Sequence, residues 1–420
     1  MKFRMDQLLH AFSIGFDSVE ADYFDTTSNH GRRIALLCIR MSKYLGLSND
    51  MRIGIAYCAI LHDNALTETF QYRNGSHNNA IYKKQHCLIG ESNASYLSFP
   101  CNVTDIIKYH HEYVDKSGPF KTNANVTPIG AQLIAIADEI DAKYHLETIT
   151  PEQLLIIHDD ISQKINSHYT EASATAMLGI LDETLLIELS NAMIEQTLQK
   201  EFPIWTIDCP AEDLMLMFKT LAKITDYKSK FTAKHSSQIA NRAYIMAEYY
   251  KMDLETCAKV YMAASVHDIG KLMTPTSVLE KPGKLNNDEF QIIKQHVSWS
   301  YIMLCDIEGF EEICLWAVTH HRKLNGTGYP KFPDGYLPDD CFVCRLMTCI
   351  DIYQAVRESR PYHSGRTHEQ TMAIMYQMVD RGEIDTTIVS DLDKVMSAFP
   401  EGDGDVPEPE YLRRLHSLNP

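Results

Sequence analysis

The histidines of this 420-residue chain recur in a fixed order, twice over. In the second half His235 is followed by His267-Asp268 after 32 residues, His296 after 29 more, His320-His321 after another 24, and Asp351 30 beyond His321. In the first half His30 is followed by His62-Asp63 after 32 residues, His86 after 24, His110-His111 after 24, and Asp138 27 beyond His111. Two intervals are identical and two differ by a few residues, as loop insertions produce. The flanking text agrees: Ala59-Ile60-Leu61-His62-Asp63 stands against Ala264-Ser265-Val266-His267-Asp268, and Ile136-Ala137-Asp138 against Cys349-Ile350-Asp351. Such self-similarity marks one fold used twice. With 18 histidines in the chain, a lone His-His or His-Asp doublet arises by chance about once, and His158-Asp159, around which nothing repeats, is such an accident. The duplicated order is what chance does not give.

The local signals are helical. Thr150-Pro151-Glu152-Gln153 before Leu154 reads as a helix start with an N-cap, a proline in the first turn and a box glutamine. Asn286-Asn287-Asp288-Glu289 before Phe290 is another, and Phe290, Ile293 and Val297 follow at helical spacing. Strand alternation is scarce. The expectation is an all-α chain of two tandem helical domains, 1–200 and 201–420, with the boundary in residues 196–212 around Trp205. The acidic, proline-containing stretch Glu401–Pro409 reads as a solvated segment.

Composition narrows the function classes. Lysine and arginine number 39 against 56 aspartates and glutamates, a net charge of −17. Long nucleic acid is therefore not an expected partner, because that binding rests on phosphate neutralisation. There is no basic amphipathic stretch for an anionic membrane. No apolar run approaches the roughly 18–20 residues of a membrane span, Ile53–Leu61 being half that. The N-terminus mixes Asp6, Gln7 and His10 into its apolar residues and reads poorly as a leader. Eleven scattered cysteines read as reduced thiols of a cytoplasmic protein. Cys341-x-x-Cys344 has no second pair to complete a zinc site, so both are expected to be core thiols.

Imidazole nitrogen with carboxylate oxygen suits a borderline divalent ion: iron, manganese or nickel, with zinc also compatible. Six or seven ligands with two carboxylates are too many for one ion and suit two. Two ions about 3.5–4 Å apart activate a shared water and stabilise both oxygens of an in-line displacement at phosphorus. They would also make a cationic pocket inside an acidic protein, so a small anionic ligand is compatible with the overall charge.

His267-Asp268-Ile269-Gly270-Lys271 resembles the HDxGK motif of the HD phosphohydrolases. With Lys281-Pro282-Gly283-Lys284-Leu285, His296, His320-His321, Asn325-Gly326-Thr327-Gly328-Tyr329-Pro330, Asp351 and Arg360-Pro361-Tyr362, the order over residues 220–365 resembles the HD-GYP family. These are all-helical bacterial cyclic-dinucleotide phosphodiesterases. The first half is similar in its ligands only, over residues 15–150, and the tandem arrangement resembles the HD-GYP enzymes acting on 3′3′-cGAMP. The resemblance implies that His235, His267, Asp268 and Asp351 hold one metal and His296, His320 and His321 a second, with Asp268 bridging. It implies that Lys271 and Arg360 grip the scissile phosphate, and that Gly326, Gly328, Tyr329 and Pro330 line the pocket, as base contacts or as a rigid loop. His363, after Arg-Pro-Tyr, would touch phosphate weakly.

Departures from the family pattern are informative. The family writes HHExxDGxGYP, and here Arg322 and Asn325 replace the acids. Some relatives carry a third-metal glutamate four residues before the first histidine; here that position is Phe231, so two metals are expected. The first half keeps His30, His62, Asp63, His86, His110, His111 and Asp138. It has Leu66 at the Lys271 position and Glu147 at the Arg360 position, and its loop reads as decayed to Asp115-Lys116-Ser117-Gly118-Pro119-Phe120. It is expected to hydrolyse poorly. Two readings stay open for it: a metal-holding docking, stabilising or regulatory domain, offering a surface to a second copy or a protein partner, or residual ligands that bind nothing. For the whole chain the leading expectation is hydrolysis of 3′3′-cGAMP, with c-di-GMP next, to the linear 5′-phosphorylated dinucleotide. The alternatives are a non-hydrolytic cyclic-dinucleotide receptor or adaptor, and a mononucleotide phosphohydrolase. Intact Lys271 and Arg360 argue against the first, and the Pro282–Leu285 and Gly326–Pro330 segments against the second.

Overall fold

Both expected helix starts are built as capping boxes. Thr150 accepts from Gln153 N while the Gln153 side chain accepts from Thr150 N, and Asn286 and Glu289 reciprocate in the same way. The structure, a computed structural model, describes residues 1–24, 28–69, 80–229, 235–331, 341–358, 365–399 and 405–418. Among these the chain is helical apart from two short strands, Lys2–Arg4 and Thr206–Asp208, paired with each other. It divides into two compact units, Met5–Thr206 and Ile207–Pro420, the latter joined by Met1–Arg4.

Each unit is framed by the same three helices. In the first they are His30–Tyr44, Asn49–Leu61 and Ile129–Tyr144, of 15, 13 and 16 residues. In the second they are His235–Tyr249, Leu254–Val266 and Phe342–Arg357, again of 15, 13 and 16. The middle helix is buried on nearly every side, from Ile53 to Leu61 in one copy and from Cys257 to Val266, Lys259 apart, in the other. A helix apolar all round must be covered all round, so it sits at the centre with the other helices against it. Ser48 and Asp253 start it by accepting from the backbone three residues on. The motif histidine, His62 or His267, caps its far end with backbone angles still helical. The metal-type side chains therefore sit where the most buried helix stops.

Two expectations are corrected. Cys341 and Cys344 are joined in a disulfide rather than lying as core thiols. Cys341 is the N-cap of the Phe342–Arg357 helix, and the first turn brings its Cα within 5.2 Å of that of Cys344, inside the range a disulfide spans. The described part of the acidic stretch is not free in solvent. Val406 is buried and its N–H donates to Gln238 Oε1 at 2.8 Å, while Glu408 pairs with Lys219 at 2.6 Å. No described helix is long and apolar enough to cross a membrane.

Candidate active site

In the second unit the backbone sets the histidines before any ligand does. His267, His296 and His320 each donate from Nδ1 to the carbonyl three residues earlier, Ala264, Ile293 and Ala317, at 2.7, 2.7 and 2.6 Å. That fixes the tautomer that leaves Nε2 as a lone pair. These Nε2 atoms converge on Asp268, whose two oxygens serve different partners. Oδ2 lies 3.1 Å from His267 and 3.6 Å from His235, and Oδ1 lies 3.2 Å from His296 and 4.0 Å from His320. Asp351 closes the ring, 3.6 Å from His235 and 3.2 Å from His321 Nδ1. His320 Nε2 lies 3.3 Å from His296 Nε2. Two sets result, His235-His267-Asp268 and His296-His320-His321, each with ligand atoms within 4.8 Å of one another. All seven side chains are thus brought together, with one oxygen of Asp268 facing each set.

The glycine of the motif is required by this packing. A Cβ on Gly270 would lie 1.9 Å from the His296 carbonyl oxygen, so only glycine lets the motif turn reach the helix that carries His296. Ser300 stitches the contact, accepting from Gly270 N and donating to the His267 carbonyl, both at 3.0 Å.

The electrostatics suit cations. Burial alone would raise Asp268, but His267 and Lys271 beside it hold the carboxyl well below its usual range. Asp351 is lowered likewise by His321 and His235 against the effect of burial. Burial pushes His296 down to about 3 despite Asp268, and burial with His321 alongside lowers His320. Both are neutral and ready to ligate at pH 7. His235 goes the other way, up to about 10, because Glu358 and Asp351 outweigh burial. Glu358 accepts from His235 Nδ1 at 3.0 Å, and a cation at Nε2 would take the place of the proton there. His267 Nε2 and Asp268 Oδ1 are buried without a hydrogen-bond partner. Buried polar atoms left unpaired are costly, and a divalent pair is what this donor set fits.

Lys271 contacts Asp268 Oδ2 through Nζ and is a fifth exposed. Tyr329 lies over the second histidine set, its ring 4.7 Å from His321 and 6.4 Å from His296, with Lys294 Nζ 5.4 Å from its face. Gly328 is pressed against the His321 carbonyl, where a Cβ would come within 2.3 Å, and Gly326 has φ 75° with open space around it. Pro330 follows Tyr329 at the partly exposed end of this turn. Arg360, Pro361, Tyr362, His363 and Phe231 lie outside the described residues. Beneath the turn a cavity of about 150 Å³ is lined by Thr319, Arg322, Lys323, Arg345 and Glu383. It is too small for a nucleotide, and Lys323 and Arg345 are already paired with Glu383 and Asp385.

The first unit reproduces the constellation. His30 Nε2 lies 3.2 Å from Asp138, His62 Nε2 3.6 Å and His86 Nε2 2.8 Å from the two oxygens of Asp63, and His111 Nδ1 3.6 Å from Asp138. His62 and His110 again donate to carbonyls three residues back. Leu66, at the lysine position, is buried. Glu147, at the position of Arg360, faces Arg33 at 3.6 Å.

Sequence reasoning missed the side chains that hold the histidines. Asp141 takes His30 Nδ1 at 2.5 Å and is itself clasped by Arg33 at 2.7 and 2.9 Å. Its signal was a helical one: it lies one turn after Asp138, as Glu358 lies two turns after Asp351. Glu20, on the Met5–Phe24 helix, joins His62 and Asp63 in a further cluster that no motif announces. The first-unit loop also keeps the family's acids, as Glu112 and Asp115. Glu112 accepts from Phe120 N at 2.8 Å and Thr122 N at 2.6 Å, a brace that Arg322 cannot supply because it has no acceptor.

Residues 219–388 match the HD-domain family model. Over 91% of this chain and 89% of its own length, the 3′3′-cGAMP-specific phosphodiesterase 1 of Vibrio cholerae is 26% identical. The 3′3′-cGAMP-specific phosphodiesterase 3 of the same organism is 30% identical over 50% of this chain and 43% of itself. A cyclic di-GMP phosphodiesterase response regulator of Xanthomonas campestris is 31% identical over 37% of this chain and 41% of itself. The chain thus spans less than half the length of these last two. In fold it is similar to a crystallised cyclic GMP-AMP-specific phosphodiesterase of V. cholerae, with a TM-score of 0.64 and 19% identity over 95% of this chain and 99% of that one. The His-Asp-x-Gly-Lys turn, the convergent imidazoles and the match to the HD-domain family model thus all fall on the same unit, within residues 219–388.

Proposed function

We propose that the second unit is a metal-dependent phosphodiesterase that opens a 3′–5′ cyclic dinucleotide, 3′3′-cGAMP ahead of c-di-GMP, to the linear 5′-phosphorylated dinucleotide. The observation that carries this reading is Asp268, with one oxygen toward each histidine set and Lys271 against it. The names of the relatives point to the same substrate class. His235, His267, Asp268 and Asp351 would hold one divalent ion and His296, His320 and His321 the other, iron, manganese or nickel with zinc also compatible. When bound, such a pair makes water a nucleophile at neutral pH and stabilises charge on phosphate oxygens.

The chain's own groups do the rest. Water adds to phosphorus, the P–O3′ bond breaks, and the ribose 3′ oxygen leaves as a hydroxyl. Lys271 binds a non-bridging phosphate oxygen, exchanging its contact with Asp268 for one with substrate, and Arg360 supplies a second cation. Tyr329 offers a ring face at the mouth, suited to stacking a base, and Gly326, Gly328 and Pro330 hold that ring in place. His363 adds a weak phosphate contact. The nine free cysteines suit a reducing compartment, which supports a cytoplasmic setting for the reaction. The first unit serves as the docking or regulatory surface, toward a second copy of the chain or a protein partner.

A substrate panel decides the matter. Manganese- or iron-loaded protein is incubated with 3′3′-cGAMP, c-di-GMP and mononucleotides, and products are identified by mass. Linear dinucleotide gained with one water is the expected product. Tight binding without product would make the chain a receptor, and turnover of mononucleotides alone would make it a different phosphohydrolase.

A further inference from the structure

We infer that the first unit carries its own divalent-metal centre, in which Glu20 adds a third carboxylate to His30, His62, Asp63, His86, His110, His111 and Asp138. The inference goes beyond the hydrolytic reading of the second unit and does not depend on it. Four His-to-Asp contacts recur between the units in the same pattern: first histidine to last aspartate, motif histidine to motif aspartate, helix histidine to motif aspartate, and second doublet histidine to last aspartate. In the first unit they measure 3.2, 3.6, 2.8 and 3.6 Å, and in the second 3.6, 3.1, 3.2 and 3.2 Å. His86, His110 and His111 form one set of ligand atoms within 4.8 Å of one another, and His30, His62 and Asp138 form another.

Glu20 is the independent observation. It is 2% exposed, its Oε2 is buried without a hydrogen-bond partner, and so is His62 Nε2. Glu20, His62 and Asp63 offer ligand atoms within 4.8 Å of one another. An orphaned carboxylate oxygen beside an orphaned imidazole lone pair is costly in an empty protein interior and favourable around a cation.

The two units also differ in sign where they are otherwise alike. Beside the motif aspartate the second unit places an ammonium, Lys271 against Asp268. The first places a carboxylate, Glu20 near Asp63. Five imidazoles and three carboxylates hold a hard-to-borderline ion such as Mn(II) or Fe(II) well. The extra negative charge, with Leu66 and Glu147 where the second unit has cations, opposes a phosphate. The geometry points to a centre that keeps metal and turns phosphate away.

The test is metal stoichiometry on the full chain, stripped with chelator, reloaded with Mn(II), freed of excess and measured by elemental analysis. Wild-type protein is expected to hold about four ions per chain, and the double variant Asp268→Asn/His296→Ala about two, the count of one dinuclear site. Adding Asp63→Asn is expected to bring that to near zero. Glu20→Gln is expected to weaken Mn(II) binding at the remaining site by at least tenfold, read by titration of the double variant. Circular dichroism checks that each variant is folded. A wild-type stoichiometry near two that Asp63→Asn leaves unchanged overturns the inference, and so does an unaltered Mn(II) affinity on Glu20→Gln. Either result leaves the hydrolytic reading of the second unit standing.

Discussion

The acid behind His235 shows how much a single side chain outside the motifs can govern. Glu358 accepts from His235 Nδ1 and so orients the ring whose other nitrogen faces Asp268 and Asp351. Groups in that position typically change metal affinity by about 10–100-fold when lost. Glu358→Ala is therefore expected to weaken Mn(II) binding in the second unit within that range, measured by titration, and Glu358→Asp to recover part of it. Lys271→Met should leave metal content intact and lower kcat by about 10²–10³-fold, the usual cost of a lost charge-stabilising donor. The clustering of the histidines and aspartates was legible because their spacing along the chain recurs in both halves. Glu20, Asp141 and Glu358 were not, because an acid on a helix ordinarily reads as part of a solvated face. Only tertiary packing shows that Glu20 and Asp141 are buried.

At the scale of elements, the loop after the histidine doublet kept its backbone while its sequence changed. Lys116 and Gly326 both have positive φ, five residues after His111 and His321. Asp115 Oδ1 accepts from Ser117 N as Asn325 Oδ1 accepts from Thr327 N. Gly118 is pressed on the His111 carbonyl as Gly328 is on that of His321. The first-unit loop lacks the side chains of the GYP segment and so looks decayed in sequence, although its turn geometry is intact. What anchors it is new: His168 lies between Asp115 at 2.9 Å and Glu139 at 2.8 Å and stacks on Tyr113 at 4.0 Å. Burial would lower His168, but the two carboxylates raise it above the ordinary value of 6.5, and both carboxylates are lowered in spite of burial. The histidine's contribution is complete below 6.5 and fades as pH rises through its folded value. The carboxylates' contribution is present above their ordinary values and fades on acidification. The first unit is thus expected to melt highest in mildly acidic buffer and to lose Tm on both sides. His168→Gln should flatten the alkaline limb in a thermal-unfolding series against pH.

For the whole molecule, the repeat was legible as two similar constellations, and the sequence difference between them stands at Leu66 and Glu147, where the second half has Lys271 and Arg360. Asp268→Ala should abolish turnover, and Asp63→Ala should cost no more than a few-fold, in parallel assays on 3′3′-cGAMP; comparable loss from both would refute the division of labour. No motif foretold that Lys2–Arg4 would pair with Thr206–Asp208 and complete the second unit. Phe3 is 1% exposed, its ring 5.4 Å from Phe310, which lies 5.6 Å from Phe218. Truncating a buried phenylalanine costs about 3–5 kcal/mol, so Phe3→Ala should hasten thermal inactivation of the phosphodiesterase although it lies at the opposite end of the chain. The same strand pair brings Met5 N within 2.9 Å of the Trp205 carbonyl. The polypeptide enters and leaves the first unit through one doorway, as an insertion does. Replacing that unit by a short turn from Arg4 to Thr206 is expected to leave the second unit folded, as thermal unfolding of the shortened chain would show.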